Sequence, residues 1–362
     1  MMEQTSSEAS AALADQLSSL AMTGSDLPAE SNAPVVVPPH LSHDPENNMK
    51  RTDPFQFGSR LLSEQDNVFE FNAWDHVETD DTYKEYAELQ YAKQRESPVS
   101  DFDKNRFNSE PAKWWNNFYK NNTANFFKDR KWLQQEFPIL SKITQVDAGP
   151  ITLLEVGAGA GNTAFPILAN NQNPNLKIHA CDFSKKAVEV IRENEAYNTN
   201  FIQADVWDAA SEVLPPGLEE SSVDLVIMIF IFSALSPSQW KQAVQNTYQL
   251  LKPGGEVLFR DYGRGDLAQV RFKKGRYLEE NFYIRGDGTR VYFFERDELV
   301  KIWTGKAADE EDSPTEVADA TGFEVLNLGV DRRLLVNRAK QLKMYRCWMQ
   351  GRFRKKQTTA PE

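Results

Sequence analysis

Residues 151–162 read ITLLEVGAGAGN. An apolar run, Ile151-Thr152-Leu153-Leu154, leads into Glu155 and then into three alternate glycines, Gly157, Gly159 and Gly161. Such a stretch reads as a buried strand feeding a tight loop that opens a helix. Glycine suits the loop because a Cβ would hold a ligand off the backbone. The amides at the start of the next helix face whatever sits over it. The dinucleotide fingerprint is Gly-x-Gly-x-x-Gly, with a pyrophosphate at the helix start. Here the third glycine comes one residue early, and an acid stands two residues before the first.

Two later acids bear on the ligand. The run Lys177-Ile178-His179-Ala180-Cys181-Asp182 is a second short strand ending in an acid, where ribose hydroxyls are commonly met. The run Thr199-Asn200-Phe201-Ile202-Gln203-Ala204-Asp205 is a third. Either aspartate alone reads as a helix cap or turn residue. Glu155, Asp182 and Asp205 in this order, after a glycine loop, favour a nucleoside ligand. The glycine spacing with its upstream acid resembles motif I of the class I methyltransferases, which bind S-adenosylmethionine. That resemblance implies that Asp182 takes the ribose and that Asp205, Val206 and Ile229 lie on the adenine side.

The chain has 362 residues and is 40% hydrophobic, with 22 phenylalanines, which permits a large core. Only two cysteines occur, Cys181 and Cys347, which excludes a disulfide framework and a cysteine-rich zinc site. No metal is expected. No run reaches the ~18 apolar residues of a membrane helix. The net charge of −12 is unevenly placed. Residues 1–49 hold seven acids and no Lys or Arg, and residues 309–319 hold six acids. Residues 332–356 carry ten basic residues and no acid, among them Arg332 and Arg333. Residues 260–276 are also basic, with Arg260, Arg264 and Arg271. One such cluster is an ordinary solvated surface; two bracketing a methyltransferase fold favour RNA phosphates.

Residues 1–50 read as a disordered acidic tail, rich in Ser, Ala and Pro. Without a basic residue before Lys50 they do not resemble a mitochondrial presequence. A cytoplasmic protein, neither mitochondrial nor secreted, is expected. Residues 51–145 form an accessory region with helices over 82–95, Pro111–Asn122 and 129–137. Residues 146–350 are expected to form the methyltransferase domain, in which 150–337 alternate strand and helix, with strands near 151–156, 176–181, 200–204, 223–232 and 255–261. Gly286-Asp287-Gly288 marks a hairpin. Residues 323–337 are expected to supply a final strand pair, and 351–362 a basic tail. The fold class is α/β: a Rossmann-like, mostly parallel sheet of the class I methyltransferase type with an N-terminal helical accessory region.

Several blocks resemble the tRNA 3-methylcytidine methyltransferases. They include Asn125-Phe126-Phe127-Lys128-Asp129-Arg130, Ala180-Cys181-Asp182-Phe183-Ser184, Phe259-Arg260-Asp261-Tyr262-Gly263, and Glu280-Asn281-Phe282-Tyr283 through Phe294. The likeness covers residues 55–350. Phe57-Gly58-Ser59-Arg60 and Val68-Phe69-Glu70-Phe71-Asn72-Ala73-Trp74-Asp75 resemble the branch acting on threonine tRNA, although His76 and Thr79 depart from its pattern. The resemblance implies methylation of cytidine 32 in the anticodon loop, with S-adenosylmethionine as donor. It also implies a partner in some members, such as an aminoacyl-tRNA synthetase or an anticodon-binding protein. Alternatives are action on serine or arginine tRNA, or a non-catalytic RNA-binding subunit of the same fold.

By the same resemblance Trp115 and Tyr119, four apart on one helix face, would help hold the cofactor; without it they read as core aromatics. Lys128 and Arg130 are candidates for phosphate contacts. Arg260 and Asp261 end the fifth strand, where open sheets gather ligands. Asp261 either accepts from the cytosine amino group or pairs with Arg260. No cysteine nucleophile or Asn-Pro-Pro-aromatic motif accompanies the strand at 223–232, which agrees with a ring-nitrogen acceptor.

Overall fold

The computed structural model describes residues 60–124, 126–306 and 322–357. The acidic segment 1–50, the Phe57-Gly58-Ser59 triplet and the acids of 309–319 lie outside the described residues. The described chain falls into two compact units, residues 60–78 with 332–346, and residues 79–331 with 347–357.

In the smaller unit a short strand, β1 (Ala73–Asp75), runs antiparallel to residues 333–335, with Trp74 opposite Leu334. Trp74 is fully buried, its indole N–H donates to the Val68 carbonyl at 2.8 Å, and Phe71 packs edge-on at 5.3 Å. Arg60 lies over the Phe71 ring at 4.2 Å. Arg332 and Arg333 pair with Glu78 and Asp75 at 3.4 and 3.1 Å. Both arginines read as RNA contacts thus have acidic neighbours within their own unit.

The larger unit is built on β2 (Ile151–Val156), β3 (Leu176–Asp182), β4 (Ile202–Val206), β5 (Val223–Ile229) and β6 (Leu251–Tyr262). They are parallel, in the order β6-β5-β2-β3-β4. The direction of winding reverses between β2 and β5, the position at which such sheets bind ligands beyond their strand C-termini. β5 shows why the sheet is covered on both faces. Leu225, Ile227 and Ile229 join Ile178, Val188 and Ile191 in one apolar layer. Val226 and Met228, one residue out of phase, join Trp240, Phe259 and Trp303 in the other. A side-chain period of two applied to a continuous apolar run gives this two-sided burial.

Helices at Asp81–Glu96, Asp101–Ser109 and Pro111–Asn122 precede the sheet. The first is capped by Asp80, whose side chain accepts from the Tyr83 amide at 2.7 Å. The helix expected over 129–137 is shorter, Leu133–Glu136, followed by Ile139–Ile143. Pro138 pushes Phe137 out of helical geometry, to φ −127° and ψ 85°. The strands β7 (Tyr277–Glu279), β8 (Phe282–Ile284) and β9 (Arg290–Tyr292) form a separate antiparallel sheet, with the expected hairpin between the last two.

The C-terminal expectation is corrected. Residues 323–337 form one strand, β10 (Phe323–Asn337), and its neighbour in the sheet is β11 (Leu342–Lys355). β11 runs antiparallel to β6, so residues 351–355 are strand rather than tail. Cys347, Met349, Gly351 and Phe353 alternate inward with Trp348, Arg352 and Arg354 outward. Phe353 stacks on Trp303 at 4.6 Å. Arg352 and Arg354 of the expected tail are on the outer face of a sheet strand, while Lys355 turns inward and donates to the Tyr248 and Leu251 carbonyls at 2.8 Å each.

Candidate active site

The loop after β2 is shaped by positive backbone angles. Gly157 has φ +68° and Gly159 φ +59°, a region costly for any residue with a Cβ. Space is also lacking. A Cβ on Gly157 would stand 2.2 Å from Ile231 Cγ1, and one on Gly159 2.4 Å from the Tyr119 hydroxyl. The helix Pro111–Asn122 is therefore laid directly on the glycine loop. Its Trp115 and Tyr119 rings stack 6.2 Å apart.

Between the loop and this helix lies a cleft lined among others by Trp115, Tyr119, Gly157, Gly159, Asp182 and Ile229. Its mostly apolar wall with a few convergent polar groups is the character of a small-molecule site. Asp182, at the tip of β3, accepts from the amides of Gly159 and Ser184, both at 2.8 Å. Burial pushes its carboxyl up to about 6 despite those two bonds. Tyr119 is 4% exposed, and burial raises its hydroxyl pKa above the usual range.

Glu155 does not line the cleft. It is 1% exposed beneath the loop, 3.6 Å from the Arg130 guanidinium, and burial pushes it up to about 7 against the pull of Arg130. Gly161 turns the loop behind the cleft, against Phe165. Arg130 is a cleft residue rather than a surface cation. Its guanidinium donates to Thr163 Oγ1 at 2.7 Å and desolvation lowers its pKa. Lys128 is exposed beside it.

Asp205 and Val206 are placed elsewhere. The Asp205 carboxylate accepts from Arg192 at 2.9 Å and Gln203 at 2.6 Å, outside the cleft lining, and Val206 is 40% exposed. Asp182 is level with Val206 in the β3–β4 ladder, so the cleft begins one residue later, at Trp207, Asp208 and Ala209. Asp208 is the acid that β4 delivers to the cleft.

Asp261 and Arg260 are also corrected. Asp261 is fully buried, accepts from the amides of Ser233 and Tyr262 at 2.8 Å each, and is absent from the cleft wall. Burial pushes it up to about 6. It fixes the backbone of the segment after β5. Arg260 points to the other side of the strand, as adjacent strand residues must. It donates to Asp331 and Gln350 at 2.5 Å and lies between Trp132 and Trp348, 5.4 and 4.9 Å from their ring centres. It is not the partner of Asp261, and its guanidinium is buried and held within the fold. Arg264 meets Glu88 and Glu295 at 3.0 and 3.2 Å, while Arg271 is exposed.

Sequence reasoning missed Arg290. It is 5% exposed on β9, lines the cleft, and donates to Gln239 Oε1 at 2.9 Å and the Ala234 carbonyl at 3.2 Å. Desolvation pulls it down to about 10. Its signal was a charged residue amid the apolar run of the hairpin.

The donor set fits S-adenosylmethionine. Gly157 and Gly159, bare of side chains, let Ile231 and Tyr119 close directly over the loop that lines the cleft. An aromatic and aliphatic wall suits an adenosyl group, and buried Asp182 presents a carboxylate where hydroxyls are expected. A Rossmann-like parallel sheet with this cleft at its switch point is the architecture of a S-adenosylmethionine-dependent methyltransferase. Residues 154–257 match the family described as a methyltransferase domain. The chain is 53% identical over 302 residues to the tRNA(Thr) (cytosine(32)-N(3))-methyltransferase of Saccharomyces cerevisiae, covering 83% of this chain and 46% of that protein. It therefore spans about half the length of that relative. It is 50% identical over 299 residues to a tRNA N(3)-methylcytidine methyltransferase of Schizosaccharomyces pombe, covering 83% of this chain and 92% of that one. The corresponding enzyme of Drosophila melanogaster is 42% identical over 312 residues, 86% of this chain and 91% of that one. The chain belongs to the tRNA N(3)-methylcytidine methyltransferase family.

Proposed function

We propose that this protein transfers the methyl group of S-adenosylmethionine to N3 of cytidine 32 in the anticodon loop of threonine tRNA. The observation that carries it is 50% identity along 92% of a tRNA N(3)-methylcytidine methyltransferase, in a chain whose cleft keeps its glycine loop and Asp182. A non-catalytic subunit would have no need to keep that cleft.

Bound in it, S-adenosylmethionine supplies an electrophilic methyl group. Asp182 holds the ribose hydroxyls, Trp115 and Ile229 cover the adenosyl group, and Asp208 with Arg290 closes the β4 end. Arg130 faces the cofactor carboxylate. Cytosine N3 presents its lone pair in the ring plane and carries no proton to remove, so alignment does most of the work. Asp261, sealed behind the cleft, positions the 230–234 backbone and acts as no base. Lys128 and Arg271, both exposed, contact RNA phosphates, and residues 1–50 serve as an appended acidic tail. The cytoplasm or nucleus, where tRNA is modified, is the expected site of action.

The test is methyl transfer from labelled S-adenosylmethionine into purified threonine and serine tRNA, read by nucleoside mass spectrometry. 3-Methylcytidine in threonine tRNA alone supports the proposal. Product only in serine tRNA overturns the substrate. Product only after adding a synthetase or anticodon-binding protein assigns a partner, and cofactor binding without product under every condition leaves the non-catalytic reading.

A further inference from the structure

Just past the end of β5 the chain adopts a conformation that its residue type resists. Phe230 has φ +59°, a region that bulky side chains rarely enter. Strain of this kind persists only where the surroundings over-determine it, and it gathers at ligand sites. Here β6 imposes it: the Phe230 amide donates to the Arg260 carbonyl at 2.8 Å. The ring lines the cofactor cleft and lies 5.0 Å from the ring of Tyr262 at a tilt of 47°. Tyr262, the last residue of β6, is half-buried and backed by Phe293 at 5.6 Å. Over the Tyr262 ring, at 5.4 Å, stands the guanidinium of Arg285, one residue beyond β8. Arg285 is half-buried and forms no ion pair among the described residues.

We propose that Phe230, Tyr262 and Arg285 form the acceptor-nucleotide subsite, the rings stacking the base turned out of the RNA loop and Arg285 meeting its phosphate. The inference rests on the RNA-methylating reading above. N3 lies on the pairing edge, so the base must leave its stack before it can react, and the lost stacking must be replaced. Aromatic faces do this for any base. A guanidinium already resting on one of them is preorganised for a phosphate. Phe230 belongs both to this ring pair and to the cofactor wall, so one residue sets the distance between acceptor and donor, on which alignment depends.

The test uses the full chain and an anticodon stem-loop RNA carrying fluorescent pyrrolocytidine at the acceptor position, alongside methyl transfer to unmodified tRNA. In the wild type, binding with S-adenosylhomocysteine present quenches the fluorophore. Tyr262→Leu is expected to lose the quench and to lower kcat/KM by roughly 10- to 100-fold, with Tyr262→Phe restoring most of both. Arg285→Ala is expected to raise KM for tRNA and to reduce the slope of log KM against log salt by about one. S-adenosylmethionine affinity by calorimetry stays within about twofold in all three. An unchanged quench and kcat/KM in Tyr262→Leu, or an unchanged salt slope in Arg285→Ala, overturns the inference while wild-type 3-methylcytidine formation leaves the reaction standing. A wild type that forms no 3-methylcytidine overturns the reaction and the inference with it. If Tyr262→Leu fails to fold, Arg285→Ala on the hairpin decides.

Discussion

The backbone amide of Gly159 donates to the carboxylate of Asp182 at 2.8 Å. The two residues that a nucleoside would touch from opposite sides are thus bound to each other. The loop cannot move without moving the acid, and the tip of β3 sets the shape of the turn after β2. One Asp182 oxygen serves this bond and the other the Ser184 amide, which leaves further lone pairs on both for ligand hydroxyls.

Asp182 gives a pH prediction with opposite signs for stability and binding. Its carboxyl is raised from 3.8 to about 6 in the folded protein. The native state therefore holds this proton more tightly than the unfolded chain. The stability contributed is present in full below 3.8 and is lost as pH rises through about 6. Cofactor binding uses the ionised form, so affinity should fall as pH drops through about 6. Asp182→Asn should flatten that dependence and weaken affinity roughly 10- to 100-fold near neutral pH. Calorimetry across this range checks it; an unchanged profile in Asp182→Asn removes Asp182 from the site.

Gly159→Ala should strike Tyr119, because its Cβ would stand 2.4 Å from the hydroxyl at a backbone φ of +59°. The backbone cost is about 1–2 kcal/mol and the clash adds to it. Tyr119→Phe removes the oxygen that is struck. The double variant should therefore bind cofactor better than Gly159→Ala alone, a non-additivity readable in a double-mutant cycle. Additive losses would mean that the helix Pro111–Asn122 does not rest on the loop.

What the sequence disclosed was periodic or conformational. The apolar run of β5, the glycine spacing after β2 and the Gly286-Asp287-Gly288 turn each state a local requirement that only one structure meets. What it hid was partnership. Arg260 counted as one charge in a basic cluster because Asp331 and Gln350, which neutralise and hold it, lie far along the chain. Residues 351–355, the end of β11, read as a tail because the outward Arg352 and Arg354 hide the inward alternation of Gly351, Phe353 and Lys355. Asp205 was misplaced because β4 runs on to Val206 and the cleft begins at Trp207, so the acid that reaches it is Asp208, beyond the strand end.

That error is itself testable. Asp205→Asn should leave cofactor affinity unchanged, because the carboxylate is spent on Arg192 and Gln203 outside the cleft. The loss is limited to an exposed ion pair of about 0–1 kcal/mol. Asp208→Asn, at the cleft wall, should weaken S-adenosylmethionine binding by about tenfold, the value of one hydrogen bond to a charged group. The reverse pattern would return the adenine end to Asp205.

Arg260 separates a structural cation from an RNA-binding one. Its ion pair with Asp331 is almost wholly buried, with side chains 5% and 0% exposed. Removing one member of such a pair leaves an uncompensated charge and typically costs about 3–5 kcal/mol. Asp331→Asn should therefore lower the thermal midpoint by several degrees, on the order of the shift expected for such a loss. It should leave the salt dependence of tRNA binding untouched, because no phosphate contact has been removed. A lost phosphate contact would instead reduce that slope by about one with little change in stability. Measuring both quantities on Asp331→Asn and Arg260→Lys assigns the arginine: a changed slope at constant thermal midpoint would place it on the RNA, and a lowered midpoint at constant slope places it in the core.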